Sequence, residues 1–350
     1  MKEEHFHVVN WCCRIITDIN KAEVNMDKIN TALAGAKNIV IAGHIRPDGD
    51  CVGSCTALYQ YLTQNKEDFG LNKIDVYLEP FGHEFNILSG AESIKHDYTS
   101  EEVYDVFISL DCGSLDRLGD ALKYFNSAKK TINIDHHISN LSFGQINHIV
   151  PDASSTCEVL FDLMEEERIT VKIAEALYVG IIHDTGVFKH SNTTEKTMNT
   201  AGKLISKGID FSALIDESFY SKTYMQNQIL GRCLMESFQV MEGQIIVSVL
   251  SRKMLDFYGA GSADLEGIID QLRVTKDTEV AIFLYEIDNQ EYKVSMRSNN
   301  GVNVSKIAVY FGGGGHIKAA GCTMRGSLHD VINNLTLHME AQLKELNKNK

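Results

Sequence analysis

The chain has 350 residues, of which 44% are hydrophobic and 23% charged, and its formal net charge is −14. This globular composition allows one large or two medium domains, and no run of about 18 apolar residues predicts a membrane-spanning helix. The net negative charge argues against general duplex binding, because duplex affinity comes mainly from lysine and arginine contacts with phosphates. The cysteines form no C-x-x-C pair and the start lacks a signal-peptide pattern, so we expect a cytoplasmic protein without a disulfide framework.

Short apolar segments alternate with helical patterns in the first part of the chain. The strands are predicted at 38–43, 73–78, 105–111 and 130–137, and the helices at 53–64, 154–166, 171–183 and 193–207. The first 35 residues resemble an amphipathic helix. This alternation predicts an α/β fold with a mainly parallel sheet, in which ligands bind beyond the carboxyl ends of the strands.

The pattern changes after about residue 210, where a helical connector is followed by two predicted hairpins. The hairpins cover 237–251 and 278–298, and further helices are predicted between them and near 303–310 and 327–345. This part predicts a smaller α+β domain. We therefore divide the chain into a catalytic domain at 1–215, a helical linker at 216–230 and a second domain at 231–350, with the active site expected between the domains.

Side chains that bind metals follow several predicted elements of the first domain. They form four clusters, namely His44 with Asp48 and Asp50, Asp111 alone, Asp135 with His136 and His137, and His183 with Asp184. Aspartate and histidine suit Mn²⁺ or Mg²⁺ better than a structural zinc site. Two divalent cations that share one carboxylate would offset the repulsion among the acids, and such pairs favour hydrolysis of phosphate esters or anhydrides.

Each cluster has a simpler interpretation when it is taken alone. Asp111 or Asp184 could cap a helix, the segment 48–50 could be an ordinary turn, and adjacent histidines occur by chance. Four such clusters at four element ends of one α/β domain favour the metal site.

A different cluster lies in the second domain, where the glycine run 312–315 precedes His316. The glycines could form a flexible loop between a helix and a strand, or a backbone that admits a phosphate or a base. Arg297 and Lys318 add donors for an anion. The aromatic side chains of Tyr310 and Phe311 could stack on a base, but helical spacing favours core positions for both.

These motifs resemble those of the DHH–DHHA1 phosphoesterase family. "HIRPDGD", "SLDCGS", "IDHHISN" and "HDTGVF" resemble four motifs of the DHH domain, and "GGGGHIKAAG" is similar to the glycine-rich motif of the DHHA1 domain. The compact length resembles the stand-alone oligoribonuclease type, called nanoRNase, which is also associated with phosphatase activity on 3′-phosphoadenosine 5′-phosphate (pAp).

The resemblance implies roles for individual residues of the first domain. His44 and Asp48 would bind one cation, Asp50, His136 and Asp184 would bind a second, and Asp111 would bridge the two. His137 would face the scissile phosphate, and Asp135 would orient a histidine. In the second domain, Arg297, Gly313, Gly314, Gly315 and His316 would hold the nucleotide, and the weaker candidates for substrate contacts are Arg117 and His190.

The implied function is a metal-dependent exonuclease that degrades short oligoribonucleotides to mononucleotides and also dephosphorylates pAp. Two alternatives remain open, a phosphodiesterase for cyclic or linear dinucleotides and a nucleotide-binding module without turnover. We expect two divalent cations, Mn²⁺ ahead of Mg²⁺, and short single-stranded RNA or small nucleotides as partners. We expect no membrane and no long duplex, and a homodimer is left open.

Overall fold

The protein is described by a computed structural model that covers residues 28–348. The chain divides into two compact units between Ser221 and Lys222. The interval 216–230, predicted as a linker, contains a π-helix, Asp216–Tyr220, and the first half of a helix, Tyr224–Met235. Most of the predicted N-terminal amphipathic helix lies outside the described residues.

The first unit is built on a parallel sheet of five strands in the order β2-β1-β3-β4-β5. The strands are β1 (Asn38–Ala42), β2 (Lys73–Tyr77), β3 (Val106–Leu110), β4 (Lys130–Asp135) and β5 (Ile146–Ile149). The first four confirm the predicted strands, because each apolar segment is buried in the sheet. The sequence did not predict β5, which has only four residues, two of them the polar Asn147 and His148.

Helices cover this sheet and lead away from its strand ends. They are α1 (Ile29–Ala32), α2 (Gly49–Gln64), α3 (Leu122–Ser127), α4 (Thr156–Leu163), α5 (Val171–Asp184), α6 (Glu195–Ser206) and α7 (Phe211–Ile215). Shorter 3₁₀ turns lie at His83–Ile87, Ala91–Ser93, Leu115–Ala121 and Glu166–Arg168. Helix α2 begins four residues before its predicted start, because the Asp48 carboxylate accepts a hydrogen bond from the Cys51 N–H and caps it.

Two glycines allow α2 and α5 to pack closely. A Cβ atom at Gly53 would lie 2.6 Å from the Ala176 carbonyl oxygen, and one at Gly180 would lie 2.7 Å from Oδ1 of Asp50. Because neither position has room for a side chain, glycine lets the two helix backbones approach. This packing brings the start of α2 close to α5, the helix that ends in Asp184.

The second unit contains a mixed sheet of six strands in the order β10-β11-β9-β8-β7-β6. The strands are β6 (Phe238–Val240), β7 (Ile245–Leu250), β8 (Val280–Asp288), β9 (Glu291–Ser298), β10 (Gly314–His316) and β11 (Ala319–Arg325). The helices are α8 (Tyr224–Met235), α9 (Arg252–Tyr258), α10 (Ile268–Arg273), α11 (Val304–Tyr310) and α12 (Leu328–Lys348), with a 3₁₀ turn at Ser262–Leu265. Both predicted hairpins are confirmed as the antiparallel pairs β6–β7 and β8–β9.

The glycine-rich segment ends in an edge strand, so its interpretation as a flexible loop is wrong. Gly314–His316 pairs antiparallel with Ala319–Gly321 of β11. A Cβ atom added at Gly313 would lie 2.2 Å from the Gly321 carbonyl oxygen. One added at Gly315 would lie 2.5 Å from the Ala319 carbonyl oxygen. A Cβ atom at Gly314 would meet no heavy atom within 4 Å in the described structure. Close packing therefore explains Gly313 and Gly315 but not Gly314.

The fold class predicted from the sequence is confirmed: a parallel-sheet α/β domain precedes a smaller α+β domain. Across the described residues, no helix combines the length and apolar character that crossing a bilayer requires.

Candidate metal centre

Asp111 lies at the centre of the clustered side chains. It follows β3 with a left-handed backbone (φ 54°), and it is only 2% exposed. Its Oδ2 lies 3.4 Å from Nε2 of His44, whereas its Oδ1 lies 3.6 Å from Nε2 of His136. The helix-cap interpretation is wrong, because Ser114 holds the cap position of the following 3₁₀ turn. The two oxygens of one carboxylate thus face two different groups of candidate ligands.

On one side of Asp111 lies His44, which follows β1. Its Nε2 lies 3.5 Å from Oδ2 of Asp48. Its Nδ1 lies 2.9 Å from the Ile45 carbonyl oxygen and also 2.9 Å from Nη2 of Arg117. Only donation from Nδ1 to Ile45 leaves Nε2 free to bind a cation, since Arg117 offers donors alone. Arg117 is therefore next to the predicted ligand His44.

The raised pKa of His44 reflects the carboxylates around it. Burial alone lowers this pKa, but hydrogen bonds with Asp111 and Asp48 outweigh burial and raise it to about 12. In the absence of a metal cation, both ring nitrogens of His44 are therefore protonated, and the carboxylates stabilise this positively charged ring.

On the other side of Asp111 lie Asp50, His136 and Asp184. One ligand atom from each of these three residues lies within 4.8 Å of the other two. Nε2 of His136 is 3.0 Å from Oδ2 of Asp184, and its Nδ1 is 3.3 Å from the Ala153 carbonyl oxygen. Donation to Ala153 leaves Nε2 free for a cation. Asp184 is the last residue of α5, so it does not cap the start of a helix.

The electrostatics of this second group favour bound cations. Burial raises the pKa of Asp184 to about 6, and burial together with the charges of Asp111 and Asp184 raises the pKa of Asp50 well above its ordinary value. Buried carboxylates that raise one another's pKa are stabilised as anions when divalent cations lie among them. The donor atoms are oxygen and imidazole nitrogen, which fits Mn²⁺ or Mg²⁺.

Helix α4 holds two of these carboxylates. Asp50 is fully buried, and its oxygens accept hydrogen bonds from the N–H groups of Thr156 (2.6 Å) and Cys157 (3.0 Å) at the start of α4. The Thr156 hydroxyl lies 3.2 Å from Oδ1 of Asp111 and donates to it. Sequence reasoning missed Thr156, although the run Ser154-Ser155-Thr156 before an apolar helix is a signal for a helix start.

Asp135 forms hydrogen bonds with His137 and Asn140, and one ligand atom from each of Asp111, Asp135, His136 and His137 lies within 4.8 Å of the other three. It is fully buried, its Oδ1 accepts from Nδ1 of His137 at 2.7 Å, and its Oδ2 accepts from Nδ2 of Asn140 at 2.6 Å. The hydrogen bond to Asp135 raises the pKa of His137. The His137 side chain is 42% exposed. These contacts are those expected of a carboxylate that orients a histidine. Sequence reasoning also missed Asn140.

Two further histidines, His183 and His190, lie near this site but outside its candidate ligand groups. His183 packs against Phe85 and Phe219, with ring centroids 5.0 and 5.2 Å away, and burial lowers its pKa. The sequence grouped it with Asp184, but its ring packs against Gly49, its Nε2 lies 3.4 Å from the Ser218 hydroxyl, and it belongs to none of the described ligand groups. His190 is exposed, and its Nδ1 lies 3.3 Å from the Asp184 carbonyl oxygen.

The predicted substrate residues of the second unit lie along one end of its sheet. Arg297 of β9 pairs with Ala319 of β11, and its Nε lies 3.7 Å from Oδ1 of Asp270. The strand Gly314–His316 is exposed beside β11. The expected core position of Tyr310 is wrong, because this side chain is 70% exposed and its ring packs 4.5 Å from that of His338. Phe311 is partly buried against the core.

We expect Thr156→Val to weaken Mn²⁺ binding by about 10- to 100-fold, because valine keeps the backbone donor to Asp50 but loses the hydroxyl that holds Asp111. Thr156→Ser should restore the affinity, since serine supplies the same donor. Isothermal titration calorimetry with Mn²⁺ measures the effect. Thr223→Val, which removes a hydroxyl that caps α8 in the second unit, is the control. Equal Mn²⁺ affinities for wild type and Thr156→Val would contradict this prediction.

Comparison with known protein families identifies both units. The N-terminal domain of the DHH family matches residues 38–181, and the DHHA1 domain matches residues 242–345. The chain belongs to the DHH–DHHA1 family. This match confirms the resemblance predicted from its motifs. Because the family consists of phosphoesterases, the chain is a phosphoesterase. The DHH match contains the clustered residues from His44 to His137 and ends just before Asp184, and the DHHA1 match contains Arg297 and the glycine-rich strand.

Known members of the DHH–DHHA1 family extend the comparison over most of the chain. The chain is 29% identical over 293 residues to the bifunctional oligoribonuclease and PAP phosphatase NrnA of Thermus thermophilus, spanning 82% of this chain and 84% of that protein. The protein of the same name from Bacillus subtilis is 27% identical, over 82% and 89% of the two chains. The crystal structure of an exopolyphosphatase-related protein from Bacteroides fragilis matches with a TM-score of 0.79 and 25% identity, over 88% and 93% of the two chains.

Proposed function

We propose that this DHH–DHHA1 protein is a metal-dependent phosphodiesterase that degrades short oligoribonucleotides to mononucleotides and also dephosphorylates pAp. The observation that carries the proposal is Asp111, whose two carboxylate oxygens face His44 on one side and His136 on the other. The relatives from Thermus thermophilus and Bacillus subtilis are both named for oligoribonuclease and PAP phosphatase activity. Their names support short RNA and pAp as the substrates of this chain.

The ligand roles follow the two sides of Asp111. We assign His44 and Asp48 to one divalent cation, and Asp50, His136 and Asp184 to a second, with Asp111 shared. Mn²⁺ fits the mixture of imidazole and carboxylate donors best, and Mg²⁺ is the alternative. When bound, such a pair would lower the pKa of a water molecule and neutralise negative charge on the phosphoryl group.

His137 is assigned to the phosphoryl oxygens. Asp135 holds its Nδ1–H at 2.7 Å, and the raised pKa favours the imidazolium form. The remaining ring N–H can then donate to a nonbridging oxygen as negative charge develops on it. Because its carboxylate oxygens are held by His137 and Asn140, Asp135 acts by positioning this histidine.

The second unit is assigned to the nucleotide. Arg297 and His316 offer donors for phosphate, together with the strand that contains Gly313, Gly314 and Gly315. Gly314 supports this role because packing does not explain its missing side chain. A backbone without a side chain at an exposed edge strand admits close approach of a phosphate or a base. Arg117 beside His44 and His190 beside Asp184 are proposed as further substrate contacts.

A substrate panel tests the proposed function. We expect Mn²⁺-dependent turnover of 5′-labelled short RNAs, from the dinucleotide upward, and of pAp, with no turnover in EDTA. Product analysis by chromatography measures each reaction with Mn²⁺ and with Mg²⁺. Faster turnover of a cyclic or linear dinucleotide signalling molecule than of short RNA would favour the alternative phosphodiesterase. Saturable binding of nucleotides without any turnover would indicate a binding module instead.

A further inference from the structure

A buried thiol lies beside the metal centre, and the proposed reaction makes no use of it. Cys51 is 0% exposed in the first turn of α2. One ligand atom from each of His44, Cys51 and Asp111 lies within 4.8 Å of the other two, and all three residues are buried. Its position beside two predicted ligands makes Cys51 a third donor.

The backbone at the end of β1 and at the start of α2 positions the Cys51 thiol beside His44. A Cβ atom at Gly43 would lie 2.2 Å from Sγ of Cys51, so glycine at the end of β1 leaves the space that the thiol occupies. The Cys51 N–H also donates to Oδ1 of Asp48 at 3.1 Å. The thiol is thus held by the same turn that carries His44 and Asp48.

The donor set differs from that of the neighbouring position. Asp50, His136 and Asp184 offer oxygen and nitrogen only, which suits Mn²⁺ or Mg²⁺. An imidazole, a thiolate and a carboxylate together suit Zn²⁺ or Cd²⁺, which bind sulfur much more strongly than Mn²⁺ does. Asp48, whose Oδ2 is 3.5 Å from Nε2 of His44, is available as a fourth ligand.

Affinity for sulfur separates the two classes of cation. A thiophilic cation forms a metal–sulfur bond with Cys51 and releases the thiol proton to solvent, whereas a hard cation binds the oxygen and nitrogen donors alone.

We propose that His44, Cys51 and Asp111, with Asp48 as a fourth ligand, form a site for a thiophilic divalent cation, Zn²⁺, which overlaps the first position of the metal centre. Zn²⁺ in this site excludes Mn²⁺ from that position. Its four protein ligands leave no open coordination position for water or substrate, so the Zn²⁺ form is inhibited. The binding event is independent of the substrate, and only its inhibitory consequence rests on the proposed function.

Titration of the metal-free full chain with Cd²⁺ tests the site directly, because a cadmium–thiolate bond gives an ultraviolet charge-transfer band. We expect a band that saturates at one equivalent in wild type, that is absent in Cys51→Ser and Cys51→Ala, and that is retained in Cys322→Ser. Cys322 is a matched control, since it is also buried and lies in β11 of the second unit. Circular dichroism establishes that each variant is folded. No band in wild type, or a persisting band in either folded Cys51 variant, would overturn the proposal.

Competition between cations separates this proposal from the proposed function. Electron paramagnetic resonance of free Mn²⁺ measures how much Zn²⁺ releases Mn²⁺ from the protein. We expect Cys51→Ala to require at least about tenfold more Zn²⁺ than wild type for the same release. Equal requirements would refute the thiophilic site while leaving Mn²⁺-dependent hydrolysis of short RNA intact. Failure to hydrolyse short RNA would refute the proposed function without changing this competition.

Discussion

Asp111→Asn is expected to lower Mn²⁺-supported hydrolysis of a short RNA by at least about 1,000-fold. The amide keeps the size of the side chain but loses the negative charge that both cations would share. It also replaces an acceptor oxygen, so one of the two sides of the centre loses its contact. Steady-state rates with a 5′-labelled RNA measure the loss, and calorimetry with Mn²⁺ should show weakened binding.

The same variant should remain folded. Asp111 raises the pKa of the buried Asp50 by charge repulsion but also holds the protonated ring of His44, so its neutralisation removes one unfavourable and one favourable interaction from the metal-free centre. We therefore expect the metal-free variant to unfold at a temperature close to that of wild type. Asp116→Asn, an exposed aspartate in the same segment, is the control and should keep wild-type rates. A wild-type rate for folded Asp111→Asn would show that the shared-ligand assignment is wrong.

The affinity of the centre for Mn²⁺ is expected to increase with pH between about pH 6 and pH 8, by up to about tenfold per pH unit for each proton displaced. The pKa of His44 is raised to about 12 and that of His136 to about 10, so both rings are protonated when no cation is bound. A cation must displace these protons, and displacement becomes easier as pH rises. Calorimetry in two buffers with different ionisation enthalpies measures both the affinity and the protons released.

The same pKa values determine how the stability of the metal-free protein changes with pH. His136 has a folded-state pKa above its ordinary 6.5, so its contribution to metal-free stability is complete below that value and is lost as pH rises through about 10. Asp184, raised from 3.8 to about 6, favours its neutral form, and its contribution is lost as pH rises through about 6. Mn²⁺ should therefore raise the unfolding temperature more at pH 8 than at about pH 6. A stabilisation independent of pH, with no proton release, would contradict this protonation scheme.

Local signals explain why the α/β fold and the clustering of acidic and histidine side chains were predictable. The apolar strands β1, β3 and β4 are each followed within a few residues by aspartate or histidine. In a parallel sheet these carboxyl ends lie at one edge, so the pattern implies that the side chains converge. The exceptions were also local in origin. β5 is too short and too polar to be recognised, and the glycine-rich strand has a composition that is unusual for strands.

The sequence by itself determined that acidic and imidazole side chains gather at one edge of a parallel sheet, because strand period and strand ends are encoded by neighbouring residues. Only the tertiary structure decided which of them meet. It separated His183 from Asp184, joined Thr156 to Asp50 and Asp111, and placed the Cys51 thiol beside His44. These relations depend on side-chain directions and on helix packing that glycines at 43, 53 and 180 allow. Contacts between residues as far apart as Asp50 and Thr156 arise from packing in three dimensions, which no local pattern encodes.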